Sequence, residues 1–232
     1  LGTIAHALLL EHDDSRVVVI DADDWRTKAA KEERDTARAL GKLPILKEAY
    51  EEAKTMVEVA RREIAASELA SAFEEATPEQ TLIWQHDGIW CRSRPDKATK
   101  DWRVEFDYKT CAGSGHPAVW GRNAILQHGY DLQAALALEG AKHLCDPRDC
   151  TFVFIVQEIE TPYAVSFVSL SPTWIHLAQA KLQMAMSIWK GCLRTNEWPG
   201  YAQRVAYLEP PAYAVIGWDD HLSPIDAEDF VS

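Results

Sequence analysis

The chain has 232 residues, 47% of them hydrophobic and spread throughout, and a net charge of −12. That is enough apolar material for one good core and too much for general disorder. No apolar run approaches the roughly 20 residues that span a bilayer, and the first ten residues lack the basic lead of a signal peptide, so a soluble, intracellular protein with no membrane partner is expected. Five cysteines, an odd number in a chain large enough to need no staples, argue against a disulfide framework and for reduced core thiols. The charge is uneven: residues 26 to 47 hold seven basic and three acidic side chains, whereas residues 205 to 232 hold six acidic ones and no Lys or Arg. A local basic surface can therefore still attract a polyanion, because binding follows the nearby field more than the total charge.

In chain order, residues 3 to 11 read as a short helix with Ile4, Leu8 and Leu9 spaced to pack inward and His6 near that face. By itself that histidine reads as a core residue. Val17 to Ile20 is β-branched and reads as a small strand. Asp21, Asp23 and Asp24 follow, better suited to a capped, solvated turn than to a metal. Thr27 to Leu40 reads as a charged helix ended by Gly41, and Pro44 as the start of a long helix towards Ala76 with a break near Ala65-Ala66-Ser67. On the first of these, Lys28, Lys31, Arg34 and Arg38 form either a contact with a duplex backbone or a solvated charged face.

Thr81 to Trp84, Ile89 to Arg94 and Arg103 to Lys109 read as three strands of an antiparallel meander, with a tight turn at Asp87-Gly88. Gly113 to Pro117 is a flexible crossing without the spacing of a phosphate-binding loop. Ala124 to Leu144 reads as a helix, Phe152 to Glu158 and Tyr163 to Leu170 as two strands, and Thr173 to Leu193 as a last helix. Helices with a central, mostly antiparallel sheet make an α/β or α+β sandwich. Residues 1 to 218 form one domain on this reading, and 219 to 232 an acidic tail. Glu158, in an apolar strand, needs a partner if ionised, and a basic residue is expected.

The chemistry concentrates in Arg94-Pro95-Asp96 and Val104-Glu105-Phe106-Asp107-Tyr108-Lys109-Thr110. Residues two apart on a strand share a face, so Asp107 and Lys109 project together while Phe106 and Tyr108 go to the other side. Two nearby carboxylates suit a hard divalent cation, and an ammonium beside them can orient a water or offset charge on a phosphate. Arg92 and Arg94 flank the acidic strand and could clamp phosphate through their planar forks, or simply be exposed strand charges.

From Gly2 to Tyr201 the chain resembles the phage-recombination exonuclease family, of the RecE or exonuclease VIII type, within the PD-(D/E)xK nucleases. Five ordered segments carry the resemblance: Gly2 to Glu11 with His6; Gly88 to Asp96; Phe106 to Thr110; Gly129-Tyr130-Asp131-Leu132-Gln133-Ala134-Ala135; and Phe152 to Leu170 with Glu197 to Tyr201. One departure is that Ala137 stands where relatives often place a tyrosine four residues after the glutamine, with Tyr130 on the preceding turn instead.

The resemblance implies a restriction-endonuclease-like core, a central mixed β-sheet flanked by helices. It implies Mg²⁺ or Mn²⁺ held by His6, Asp96, Asp107 and the Tyr108 carbonyl, with Lys109, Gln133 and Glu79 completing the catalytic set and Tyr130 joining Arg92, Arg94, Lys28 and Lys31 on DNA. It further implies 5′-to-3′ degradation of linear double-stranded DNA, a single-strand annealing (RecT-like) partner, a ring-shaped homo-oligomer, and a bacterial or phage-infected cytoplasm. Three other readings share these residues in part: a RecB-like repair nuclease with another end preference, a DNA-binding module with a spent site, and a hydrolase of small phosphate esters.

Overall fold

The strand Val104–Cys111, β7, is the axis of the molecule, because its alternating side chains serve two different layers. In the computed structural model, which describes residues 1–11, 14–146, 149–213 and 215, β7 pairs in parallel along its full length with β8 (Thr151–Glu158). A parallel pair needs a crossover connection. Helices α5 (Pro117–His128) and α6 (Tyr130–Ala141) supply it. The strands β3 (Thr77–Pro78), β6 (Lys97–Ala98) and β9 (Val165–Ser169) complete a five-stranded mixed sheet in the order β3-β6-β7-β8-β9. Its other pairings are antiparallel.

One face of the sheet is largely apolar. Phe106, Tyr108, Val153 and Ile155 pack there with Met56, Val57, Ala60 and Ile64 of α3 (Lys47–Ala65) and Phe73 of α4 (Ala70–Glu75). Phe73 meets Phe106 edge to face, with ring centroids 5.3 Å apart. The other face carries Phe152, Phe154 and Val156 from β8 against Trp120, Ile125, Ala134 and Ala137 of the crossover helices. Buried Lys97 closes one end of the first layer: its Nζ donates to the Phe73 carbonyl at 2.6 Å and lies 4.1 Å from the Phe73 ring centroid. An ammonium there satisfies a carbonyl that the end of α4 would otherwise leave bare.

Several expected elements form, with three differences. First, β4 (Leu82–His86) and β5 (Ile89–Ser93) make a separate two-stranded hairpin, so the expected three-stranded meander does not exist; β7 pairs with β6 and β8 instead. Second, Pro44 lies inside a strand, β2 (Leu43–Leu46), which pairs in parallel with β1 (Val17–Ile20). As a two-stranded sheet has only edges, a missing N–H is tolerated there. The long helix begins at Lys47 and breaks after Ala65, as the alanine-serine stretch suggests. Third, the helix expected over 124 to 144 starts at Pro117 and is divided at Gly129, whose φ of +68° ends α5 and opens α6.

Helix α2 (Lys28–Ala39) is capped by Thr27, whose hydroxyl accepts from the Ala30 N–H at 3.2 Å. Of the acids before it, Asp24 pairs with Arg26 and Asp21 with Lys47. Glu158 finds a backbone partner where a basic residue was expected: its Oε1 accepts from the Gly115 N–H at 2.7 Å and so fastens the crossing that leaves β7. Cys145 and Cys150 are bonded, against the expectation of reduced thiols throughout; Cys91, Cys111 and Cys192 are free. Their five-residue spacing closes one small loop after α6 and staples no distant elements.

The chain divides into two units, residues 1–191 and 192–232. The first holds everything above together with α7 (Pro172–Thr195) up to Gly191. Among the described residues of the second, Tyr201, Val205, Tyr207 and Leu208 are exposed. The tail expected over 219–232 lies outside the described residues. No helix of the described residues is long and apolar enough to cross a membrane.

Candidate metal and phosphodiester site

Four elements bring the site together. Helix α1 (Gly2–His6) runs directly into a π-helical turn, Ala7–Glu11, a local widening often found at functional positions. Buried Leu9 and Leu10 anchor that turn in the apolar layer, and Arg61 of α3 donates to the Leu8 carbonyl at 2.7 Å. The start of α1 lies hard against β7, since a Cβ on Gly2 would come within 2.6 Å of Thr110 Oγ1. Glycine at position 2 is thus what lets the helix, and with it His6, approach the active strand.

His6 Nε2 stands 3.0 Å from Asp96 Oδ1. Asp96 sits between the hairpin and β6, and its other oxygen accepts from the Tyr108 N–H at 2.7 Å, which fixes the carboxylate against β7. Glu79 reaches the same place from β3: its backbone N–H donates to the Asp96 carbonyl at 3.0 Å. One ligand atom each from His6, Glu79 and Asp96 lie within 4.8 Å of one another. Glu79 also holds Arg94, at 3.1 Å. Its φ of +55° is a left-handed conformation that a non-glycine residue adopts at a cost.

Asp107 and Lys109 share a face, as the alternation requires. Lys109 Nζ forms an ion pair with Asp107 Oδ2, and the Gln133 amide donates to Asp107 Oδ1 at 2.6 Å. The Lys109 ammonium rests 4.9 Å from the centre of the Tyr130 ring. That ring is itself packed on Trp120 and Phe154, so Tyr130 acts here as a support beneath the lysine. Burial raises the Asp107 carboxyl above its usual range, the neighbouring Asp96 charge raises it further, and Lys109 and Gln133 oppose both. Two carboxylates that penalise each other's charge, with a histidine nitrogen and a third carboxylate beside them, fit a hard divalent cation in donor type. Among the described residues the ligand atoms of His6, Glu79 and Asp96 lie together and would hold it, whereas Asp107, expected in the same set, stands outside that group.

The Tyr108 side chain is on the far face, where its hydroxyl donates to Gln157 Oε1 in the apolar layer; only its backbone could serve a cation. Arg92 is exposed on β5. Lys28 and Lys31 are carried by α2, which packs on β1 and β2 and not on the strands bearing the cluster; Lys28 pairs with Glu32 at 3.6 Å. Glu105 carries a role the sequence reading did not give it. It is fully buried on the Asp107 face with no hydrogen-bond partner for either oxygen among the described residues, and burial pushes its pKa up to about 8. The signal was present: Glu105, Asp107 and Lys109 keep one period-two register.

A mixed sheet with a parallel central pair, an acid before it and an Asp-x-Lys on it define the PD-(D/E)xK class. The chain matches the PDDEXK-like domain of unknown function (DUF3799) over residues 1–211 and belongs to that family. A crystal structure described as "putative exonuclease" from Eubacterium rectale aligns over 93% of this chain and 78% of its own, with 10% identity and a TM-score of 0.55. A second, that of SSO0001, covers 78% of this chain and 85% of its own at 12% identity; its TM-score of 0.31 is too low to bear on the fold. No curated protein matches.

Proposed function

We propose that this chain is a divalent-metal-dependent deoxyribonuclease that digests linear double-stranded DNA from its 5′ ends, leaving 3′ single strands and 5′-phosphomonoesters. The convergence of His6, Glu79 and Asp96 beside the Asp107–Lys109–Gln133 triplet carries the reading. These residues come from both ends of the first 133 positions, and a purely structural role leaves so many ionisable groups in one half-buried place unexplained. A bound Mg²⁺ or Mn²⁺ would activate water and neutralise charge on the phosphate. Lys109, held by Asp107 and the Tyr130 ring, is placed to orient the attacking water or to neutralise a phosphate oxygen. Gln133 keeps Asp107 in one rotamer. Arg92 and Arg94 supply cations for the backbone of the incoming strand.

The 5′-to-3′ direction, the annealing partner and a ring-shaped assembly rest on the resemblance to the phage-recombination exonucleases, as does a cytoplasmic setting in a bacterial or phage-infected cell. Linear duplexes labelled at the 5′ or 3′ end and digested with Mg²⁺ or Mn²⁺ test the reaction. Mononucleotide release from 5′ ends is expected, and Asp107→Ala should lower the rate at least 100-fold without unfolding the chain. Release from 3′ ends would instead favour a RecB-like repair nuclease. Failure to cleave any DNA in either metal would overturn the proposal.

A further inference from the structure

The β4–β5 hairpin has two unlike faces. Inward, Leu82 and buried Trp84 seat it on α6 at Gly140, where an added Cβ would come within 2.8 Å of the Trp84 ring. So close an approach fixes which way the other face looks. That outward face carries Ile83 (59% exposed), Gln85, Trp90 (71% exposed) and Arg92, brought together by the cross-strand pairs Ile83–Arg92 and Gln85–Trp90. Arg92 has no hydrogen bond or ion pair among the described residues. Arg94, two positions further, reaches Glu79 of the metal cluster. The acid at the hairpin tip, Asp87, is paired with Lys190 at 3.8 Å. The strand β5 therefore presents an exposed indole and, a step of about 6.8 Å on, the Arg92 guanidinium; Arg94, just past the end of the strand, adds a second guanidinium that ends in the site.

We propose that this face is the platform for an unpaired DNA strand at a duplex end, with Trp90 stacking on a base and Arg92 and Arg94 following the backbone to the Glu79–Asp96 cluster. The inference rests on the nuclease reading above and adds to it a strand-engaging surface and a stacking residue. The indole presents a flat face, and in a duplex interior both faces of each base are already stacked; the complementary ligand is an unpaired nucleotide. What favours a nucleotide as the occupant is continuity with the candidate site, since Arg94 just beyond the hairpin reaches Glu79 of the metal cluster. In a chain of net charge −12, the charged side chain among the four on this outward face is a cation, Arg92, the sign that a phosphate backbone requires.

Fluorescence anisotropy with Ca²⁺ in place of Mg²⁺ tests this on three probes: an oligothymidylate, a blunt duplex and a tailed duplex. Trp90→Ala should weaken the oligothymidylate and the tailed duplex about 5- to 100-fold, with a much smaller effect on the blunt duplex, and Trp90→Phe should restore most of the loss. Arg92→Ala should reduce the salt dependence of oligothymidylate binding by about 0.7 in log–log slope. Unchanged oligothymidylate binding by Trp90→Ala, an equal loss on all three probes, or no binding by the unaltered chain would overturn the platform. So would a change in sedimentation without a change in DNA binding, which would make the face a protein contact. Cleavage by the unaltered chain is scored separately, so the nuclease reading stands or falls without Trp90.

Discussion

The two faces of β7 are built from neighbouring residues and obey opposite rules. Phe106 and Tyr108 go to an apolar layer whose polar groups are satisfied: Tyr108 and Gln157 close on each other and on the Met56 carbonyl, and Lys97 on the Phe73 carbonyl. Glu105, Asp107 and Lys109 go to the other face, where one carboxyl has no partner and another is pressed against a like charge. The first face stabilises the fold; the second opposes it, and is held in place by the first. A strand buried on both sides can carry ionisable groups only because its alternate side chains, Phe106 and Tyr108 above all, are set in an apolar layer.

Truncating the stable face should have the largest effect. Phe106→Ala removes a fully buried ring from contact with Phe73 and should cost about 3–5 kcal/mol in denaturant unfolding. A loss below about 1 kcal/mol would show that the layer can collapse around the gap and that the contrast is overdrawn.

On the opposing face the sign reverses. The Glu105 carboxyl is raised to about 8 from an ordinary 4.5, so the folded protein retains a proton that the unfolded chain has already released. Stability is therefore greatest at and below pH 4.5 as far as this group is concerned, falls as pH rises towards 8, and levels off above it. Glu105→Gln should flatten that segment of the stability–pH curve and raise stability at pH 8, measured by urea unfolding across the range. An unchanged slope would mean that Glu105 is not the group responsible.

The smallest effect concerns how α1 is set against the strand. Gly2→Ala puts a methyl 2.6 Å from Thr110 Oγ1, which should cost about 1–2 kcal/mol and shift His6 relative to Asp96. Mn²⁺ titration should show weaker binding, and combining Gly2→Ala with Thr110→Ala should recover most of it, because the two changes share one contact. Independent, additive losses would place the defect elsewhere.

Much of this was legible in the chain. The period-two register of Val104–Cys111 gives the Asp107–Lys109 pair and its apolar counterparts directly, since side-chain direction on a strand is local geometry. Thr27 and Gly41 mark helix ends through backbone and capping preferences that also act locally; Pro117 and Gly129 carry the same preferences, but the helix expected over 124 to 144 passed over both. The hairpin turn at Asp87-Gly88 was legible for the same reason, but not the sheet to which its strands belong. Pairing is chosen by distant partners, and β7 had β8, 47 residues later in register, as the alternative to β5. Pro44 misled because its helix-starting preference is real, and only the presence of β1 made a strand of the segment.

What the amino-acid sequence settled by itself, then, is which side chains face together along the strand Val104–Cys111 and the end of the charged helix at Gly41, because both follow from dihedral preferences and the spacing of residues a few positions apart. Tertiary structure alone decided that His6, Glu79 and Asp96 meet within 4.8 Å, that Gln133 from α6 joins Lys109 in holding Asp107, and that Glu105 is sealed without a hydrogen-bond partner among the described residues. Those outcomes depend on long-range burial, where packing of α1 on β7 and α6 over the sheet brings groups from distant positions into one low-dielectric space.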